Sequence, residues 1–400
     1  MGRAKTELME AQEKGFFVDE DKVVCTNCFE DAGIRRFIAE HNTKETCSYC
    51  AETGNATCSL EQTMEHISSS IKSEWGHPED EGLPYETREG GWQGPVYDSC
   101  ELINEIGLEI TTTELNEDIC RGLGVFESWC ERDRLSLTDD ETLLYGWRDF
   151  SRFVINEARY VFFRASPSFH DPNQHDKMNP VNILDSLDTI VKELGLLNVM
   201  KKEKSIKRVR IVGRNEVPVS AKELGSPPYR FAKIPNRMSP AGIPMFYGAY
   251  KIETAIAETF DPKKHSGKKA VCGHFFPLRD LSILDLSKDI NIPSIFEGSK
   301  RRRVLTKFLG GFMDDFTKPI DGEDRSHIDY VPTQIVTEYF RRVFVLEDGK
   351  KLDGIVYPSS KDKRHAAIVL FATNDQCVEK TDQHFNDAML YLEDVTEMLL

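Results

Sequence analysis

The stretch Pro235-Asn-Arg-Met-Ser-Pro-Ala-Gly-Ile-Pro-Met-Phe-Tyr-Gly-Ala-Tyr-Lys-Ile-Glu-Thr-Ala-Ile-Ala-Glu-Thr259 changes character twice along its length. Pro240 and Gly242 impose a turn, and Met245 to Tyr247 extend as a short strand. Ile252, Ala255, Ile256 and Thr259 then recur at helical spacing. A turn, a strand and a helix in that order bring three complementary groups close together: Arg237, Tyr247 and, at the rim of the apolar helix face, Glu258. Each also has a commonplace reading, as a surface cation, a core aromatic and a solvated helix residue. Spacing alone supports a cleft for an anion and a sugar beside a carboxylate and does not choose further.

Around this segment, Val209 with Ile211 and Val212, Val271 to Phe276, Ile283 to Leu286, Phe344 to Leu346, Ile355 to Val356, and Ala367 to Phe371 are short β-branched or aromatic runs. Glycine, proline or charge bounds each one, which predicts strands and an α+β domain over residues 201–400 behind the basic run Lys201 to Lys207. Residues 59–200 read as helical. Ser59 with Gln62 forms a capping-box pattern ahead of Leu60, Met64, Ile67 and Ile71, and a long helix is expected from Thr142 to Phe163. Between them, Trp75 to Pro95 reads as an ordered loop.

The head, residues 1–58, carries Cys25-Thr-Asn-Cys28 and Cys47-Ser-Tyr-Cys50, inside the spacing window of a four-cysteine zinc ribbon. Two residues between cysteines let both thiolates point inward from one knuckle, and two knuckles close a tetrahedron. With all four positions taken by sulfur no site remains for an activated water, so the zinc is expected to be structural. Redox chemistry at one pair needs a thioredoxin-like βαβ context that the sequence lacks. Cys58, Cys100, Cys120, Cys130, Cys272 and Cys377 have no metal-like spacing and read as buried fillers or inert thiols. Between the knuckles, Arg35 and His41 are similar to the Arg-x4-6-His motif of HEPN ribonucleases. Strand or loop is expected there, with both side chains solvated.

The chain has 400 residues, 40% of them hydrophobic, enough for two or three folding units, and a formal net charge of -16. That charge argues against a general nucleic-acid surface, which needs clustered Lys and Arg. A local basic pocket for a small anion stays compatible with it. Nothing resembles a secretory signal or a membrane span, and the expected location is the cytoplasm, where paired cysteines point to metal before disulfides.

The NRMSPAGIPMFYGAY and TAIAE blocks resemble the signature of RES domains, named for an Arg, a Glu and a Ser. A second block agrees: Asp329-Tyr-Val-Pro-Thr-Gln334, followed by Leu352-Asp-Gly-Ile-Val-Tyr-Pro-Ser359-Ser, is similar to the family's later stretch, which identifies Ser359 as the serine. The family's first arginine falls on Lys207-Arg208-Val-Arg210, leaving Arg208 and Arg210 both open, since alternate strand residues share a face. The first half, including VCTNCFED and GWRDFSRFV, resembles the family's zinc-ribbon-like, HEPN-related N-terminal extension.

The resemblance implies an ADP-ribosyltransferase-like fold and an NAD-consuming, toxin-like enzyme that breaks the nicotinamide–ribose bond by hydrolysis or phosphorolysis. In that setting Glu258 would stabilise charge on the ribose or orient the nucleophile. Arg208 or Arg210, with Arg237, would bind phosphate; Tyr247 would stack on nicotinamide or pack the ribose; Ser359 would hydrogen-bond a ribose or phosphate oxygen. Implied partners are NAD, phosphate, a separate antitoxin or inhibitor protein and, by analogy, a second copy of the chain. Two other functions compete: a mono-ADP-ribosyltransferase acting on a protein or small molecule, and a zinc-anchored interaction or sensor protein with an inactive site. The basic runs Arg301 to Arg303 and Lys361 to Arg364 read as solvated faces, with an anion-attracting mouth as the alternative.

Overall fold

In the computed structural model the described residues are 14–18, 21–124, 128–132, 136–165, 167–168, 178–318, 325–362, 365–382 and 387–399. They form two compact units, one of Met1–Asp139 with Asn291–Lys307 and one of Asp140–Ile290 with Phe308–Leu400. No helix among the described residues is long and apolar enough to cross a membrane.

The first unit begins with β1 (Val23–Cys25), antiparallel to β2 (Thr57–Ser59). Between them lies α1 (Ala32–Glu40), capped by the Asp31 side chain accepting from the Ile34 N–H. The Arg35 to His41 stretch is therefore helical, not strand or loop; Ile34 and Ile38 bury one face, while Arg35 and His41 are exposed. As the capping box predicts, α2 (Leu60–Ile71) starts after Ser59, whose Oγ accepts from the Gln62 N–H, and it buries Leu60, Met64, Ile67 and Ile71. The stretch after Trp75 contains two-residue strands: β3 (Trp75–Gly76) pairs with β6 (Cys130–Glu131), and β4 (Tyr85–Glu86) with β5 (Gly91–Trp92). Helices α3 (Ser99–Glu105) and α4 (Thr113–Leu123) complete a core that also contains Phe296.

The second unit opens with α5 (Asp139–Asn156), which buries Trp147, Phe150 and Val154 as its periodicity predicts but stops short of the expected Phe163. Phe162 folds back edge-on to Phe150, ring centroids 5.6 Å apart, so an aromatic contact ends a helix that no glycine or proline breaks. Helix α6 (Ile183–Glu193) leads into a nine-stranded mixed sheet. Its strands are β7 (Leu197–Met200), β8 (Ile206–Val212), β9 (Phe246–Ala249), β10 (Lys269–Pro277), β11 (Leu281–Asp285), β12 (Gly354–Pro358), β13 (Ala366–Leu370), β14 (Cys377–Glu379) and β15 (Leu390–Leu399). Their order across the sheet is β14-β15-β10-β8-β9-β13-β12-β11-β7, with β11–β12 and β14–β15 parallel and the other pairs antiparallel.

Six expected strands are present, β8 to β13; Phe344 to Leu346 is not one. The Phe344 N–H bonds back to the Tyr339 carbonyl, and its buried ring lies against Phe340, closing a helix end. Four helices accompany the sheet: α7 (Ala221–Leu224), α8 (Ile252–Thr259), α10 (Ser326–Asp329) and α11 (Val331–Arg342), while α9 (Lys300–Thr317) spans the division between the two units.

At its centre the sheet splays. Strands β8 and β9 share one register pair, Lys207 with Ala249. The approach there is close enough that a Cβ on Gly248 would lie 2.7 Å from Ile206 Cγ2 and 2.9 Å from the Lys207 carbonyl oxygen. Helix α8 packs Ile252, Ala255 and Ile256 against Val209, Ala249, Ala270 and Cys272 on one sheet face, while Ile206, Phe246, Val271 and Ile368 line the core of the other.

Candidate active site and a four-cysteine centre

Arg237 sits in a tight turn closed by paired backbone bonds between Asn236 and Ser239. Helix α11 holds that turn: Thr333 Oγ1 donates to the Arg237 carbonyl, and Gln334 Nε2 donates to the Asn236 and Ser239 carbonyls at 2.8 and 3.3 Å. The guanidinium lies 5.2 Å from the Tyr330 ring centroid and donates through Nη1 and Nη2 to the carbonyls of Phe316 and Lys318, each at 2.8 Å. A fixed cation at the C-terminal end of α9 is favourably placed against the helix dipole. Two of its donors are thereby spent on the fold.

Tyr247 reaches back to the same turn, its hydroxyl 2.8 Å from the buried Ser239 Oγ. Burial raises its phenol above the ordinary tyrosine range, although the Ser239 contact works in the other direction. It stays a hydroxyl at neutral pH.

Glu258, exposed near the end of α8, is gripped by Ser359, which follows β12 and is 2% exposed. The Ser359 Oγ accepts the backbone N–H groups of Lys361 and Asp362 at 3.2 and 2.9 Å. A hydroxyl has two acceptor sites and one proton. With both acceptor sites taken, the proton goes to Glu258 Oε1. Oε2 has no partner among the described residues.

A second set of bonds secures the same helix. Lys251, Thr254 and Glu258 stand at i, i+3 and i+7, along one face. Thr254 Oγ1 donates to Asp362 Oδ2 at 3.0 Å, His365 Nδ1 lies 2.8 Å from that oxygen, and Lys251 Nζ lies 2.7 Å from His365 Nε2. An ammonium only donates and a carboxylate only accepts. The histidine between them therefore carries its proton on Nδ1.

The sequence-derived residues divide. Arg237, Tyr247 and Glu258 are electrostatic neighbours of a further residue, Tyr357, which is 7% exposed and lies two residues before Ser359. Burial first, then the nearby Glu258 carboxylate and the Tyr247 and Tyr330 phenols, push the Tyr357 hydroxyl well above its usual pKa, with Arg237 opposing them. Arg208 lies elsewhere: Lys207 faces Ala249, so its neighbour Arg208 falls on the Phe246 side of the sheet, 5.4 Å from that ring. Arg208 bridges the splayed strands, Nε donating to the Gly225 carbonyl at 2.9 Å and Nη1 to the Tyr247 carbonyl at 2.7 Å. Arg210 is exposed and donates to the Glu223 carbonyl at 3.1 Å. Of the basic runs, Arg303 pairs with Glu74 at 3.0 Å, and Lys363 and Arg364 lie outside the described residues.

Tyr330, Tyr357, Thr254, Asp362 and His365 were not singled out from the sequence. Thr254 is one helical turn before Glu258, and Tyr330 and Tyr357 lie inside the two quoted later blocks, so position relative to a named residue was the signal available.

In the first unit, Cys25, Cys28, Cys47 and Cys50 bring four sulfur atoms within 4.8 Å of one another. Adjacent pairs stand 3.7, 3.4 and 3.5 Å apart, as free thiols. These spacings are too long for a disulfide and close to the roughly 3.8 Å edge of a tetrahedron built on metal–sulfur bonds of about 2.3 Å. Burial raises Cys25 to about 11 and Cys28 further still, so a cation is what would make this cluster of thiolates stable. The four cysteines could hold a metal ion. Of the remaining cysteines, Cys58, Cys120, Cys130, Cys272 and Cys377 are buried and Cys100 is exposed.

Compared with known families, residues 209–391 match the RES domain and residues 40–168 match HEPN/RES N-terminal domain 1. No curated protein and no solved structure matches the chain.

Proposed function

The chain belongs to the proteins that join a HEPN/RES N-terminal domain to a RES domain, and from that premise we propose that it consumes NAD by cleaving the bond between nicotinamide and ribose. The observation that carries this reading is Glu258: an exposed carboxylate with Oε1 fixed by Ser359 and Oε2 without a partner among the described residues, near the Tyr357 phenol. Nicotinamide leaves as a neutral base from a cationic ring and needs no protonation. The barrier is positive charge developing on the ribose, and a pre-positioned carboxylate stabilises that charge without reorganising. Arg237, with two donors committed to α9, offers its remaining edge to a pyrophosphate; Arg208 supports the opening between β8 and β9 from behind. The splayed mixed sheet is compatible with an ADP-ribosyltransferase-like fold.

We assign zinc to the four cysteines. All four donors are sulfur and the set is closed, so the metal would hold the head together and take no part in bond cleavage.

The test is incubation of the full chain with NAD, with and without phosphate, followed by separation of products. Free nicotinamide with ADP-ribose is expected, or ADP-ribose 1-phosphate where phosphate is the acceptor, and Glu258→Gln should slow release by at least about a hundredfold. Folded protein that releases no nicotinamide under either condition overturns the reading. Label transferred to a protein or small molecule would instead identify a transferase.

A further inference from the structure

We propose that the Tyr357 hydroxyl is a substrate-binding group, hydrogen-bonding a ribose hydroxyl next to the one held by Glu258. The inference rests on NAD being the substrate and adds a residue and a recognition rule to that site.

Three observations combine. Tyr357 is 7% exposed, yet its hydroxyl makes no hydrogen bond to any described residue. A buried hydroxyl without a partner loses its hydration and gains nothing in return, unless water or a ligand completes it. The oxygen is not among the fully buried side-chain polar atoms that lack a partner in the described residues, so it keeps some contact with accessible space.

That space is the site. Tyr357 and Ala367 are register partners, as are Ala367 and Ala249, and Tyr247 is two residues before Ala249 on the same strand. Residues in register share a sheet face, as do alternate residues on one strand. Tyr247 and Tyr357 thus rise from one face, with the buried Ala367 and Ala249 next to them in register. Glu258, Arg237 and Tyr330 are the electrostatic neighbours of the Tyr357 phenol.

The donor and acceptor count then selects the ligand group. Glu258 Oε2 can only accept, so it takes a hydroxyl proton. The Tyr357 phenol, uncharged at neutral pH, can donate to the oxygen next to it. A carboxylate and a phenol side by side fit the vicinal hydroxyls of a ribose, one donating to Glu258 and the other accepting from Tyr357.

Tyr357→Phe removes the hydroxyl and keeps the ring. Wild type and variant would be compared for nicotinamide release from NAD and from two analogues, lacking the 2′- or the 3′-hydroxyl of the nicotinamide ribose, with thermal melting of both proteins. The expected result is a roughly tenfold lower kcat/KM for the variant on NAD, an unchanged melting temperature, and no further loss on the one analogue that lacks Tyr357's partner. A variant as fast as wild type, or one whose loss persists in full on both analogues, overturns the inference while leaving the NAD reading intact. A wild type that releases no nicotinamide from NAD overturns both.

Discussion

Ser359 shows how a residue can be named from sequence while its work becomes visible only in three dimensions. Its hydroxyl proton is committed to Glu258 because two backbone N–H groups occupy its acceptor positions. Ser359→Ala should therefore act through Glu258: kcat for nicotinamide release is expected to fall by about ten- to a hundredfold, the range for a hydrogen bond to a charged group, with KM within about twofold. The N–H groups of Lys361 and Asp362 would lose an acceptor as well, lowering stability by roughly 0.5–1.5 kcal/mol. Steady-state kinetics and thermal melting separate the two effects, and a variant changed in KM alone would place Ser359 on the substrate. The arginines mark the limit of sequence reading at this scale. Alternation along β8 puts Arg208 and Arg210 on one side but cannot say which side. The single contact between Lys207 and Ala249 turns Arg208 toward Phe246, and two backbone carbonyls then claim it.

Helix α8 was legible as an element because its apolar positions repeat at 3.6 residues, and its core-facing Ile252, Ala255 and Ile256 follow that pattern. Its polar face was not, since no periodicity announces that Lys251, Thr254 and Glu258 meet residues 359–365. Long-range pairing also explains why Asn236–Ser239 and residues 329–334, separated in sequence, form one feature: Thr333 and Gln334 of α11 hold the turn that carries Arg237. Local patterns fail where tertiary contacts end an element, as when Phe162 stops α5 against Phe150. Strand β15 likewise gave no clear signal, because Glu393, Asp394 and Glu397 interrupt its apolar residues although it pairs with β10 along its length. The face of α8 yields its own prediction. Thr254→Val keeps the buried shape but drops the bond to Asp362, so kcat should decline by up to about tenfold, and Thr254→Ser should restore it. A valine variant with full activity would show that Ser359 alone positions Glu258.

Across the whole chain, the division into units is not a cut at one point, because Asn291–Lys307 belongs with the N-terminal residues. Phe296 is 2% exposed in that unit's core, its carbonyl lies 3.0 Å from His66 Nε2, and a Cβ on Gly33 would come within 2.6 Å of its backbone. Nothing in the local pattern of residues 291–307 signals such a return, whereas the spacing of the cysteines did place four sulfurs together. These features bear on how the first unit is stabilised. Its four cysteines lie inside the core formed by Val24, Phe29 and Ile34, so a metal bound there would be coupled to the folding of β1, α1 and α2. Structural zinc contributes on the order of 10 kcal/mol in small domains. Full-length protein prepared with zinc is expected to carry one ion per chain. Stripping it with a strong chelator should collapse amide-exchange protection over Val23–Cys25, Ala32–Glu40 and Leu60–Ile71, while protection over Gly354–Pro358 and Ala366–Leu370 persists, because the sheet of the second unit has its own core. Protein that binds no zinc, or protection in the first unit that survives chelation, would show that the cysteines are a packed thiol cluster and that hydrophobic burial alone stabilises the head.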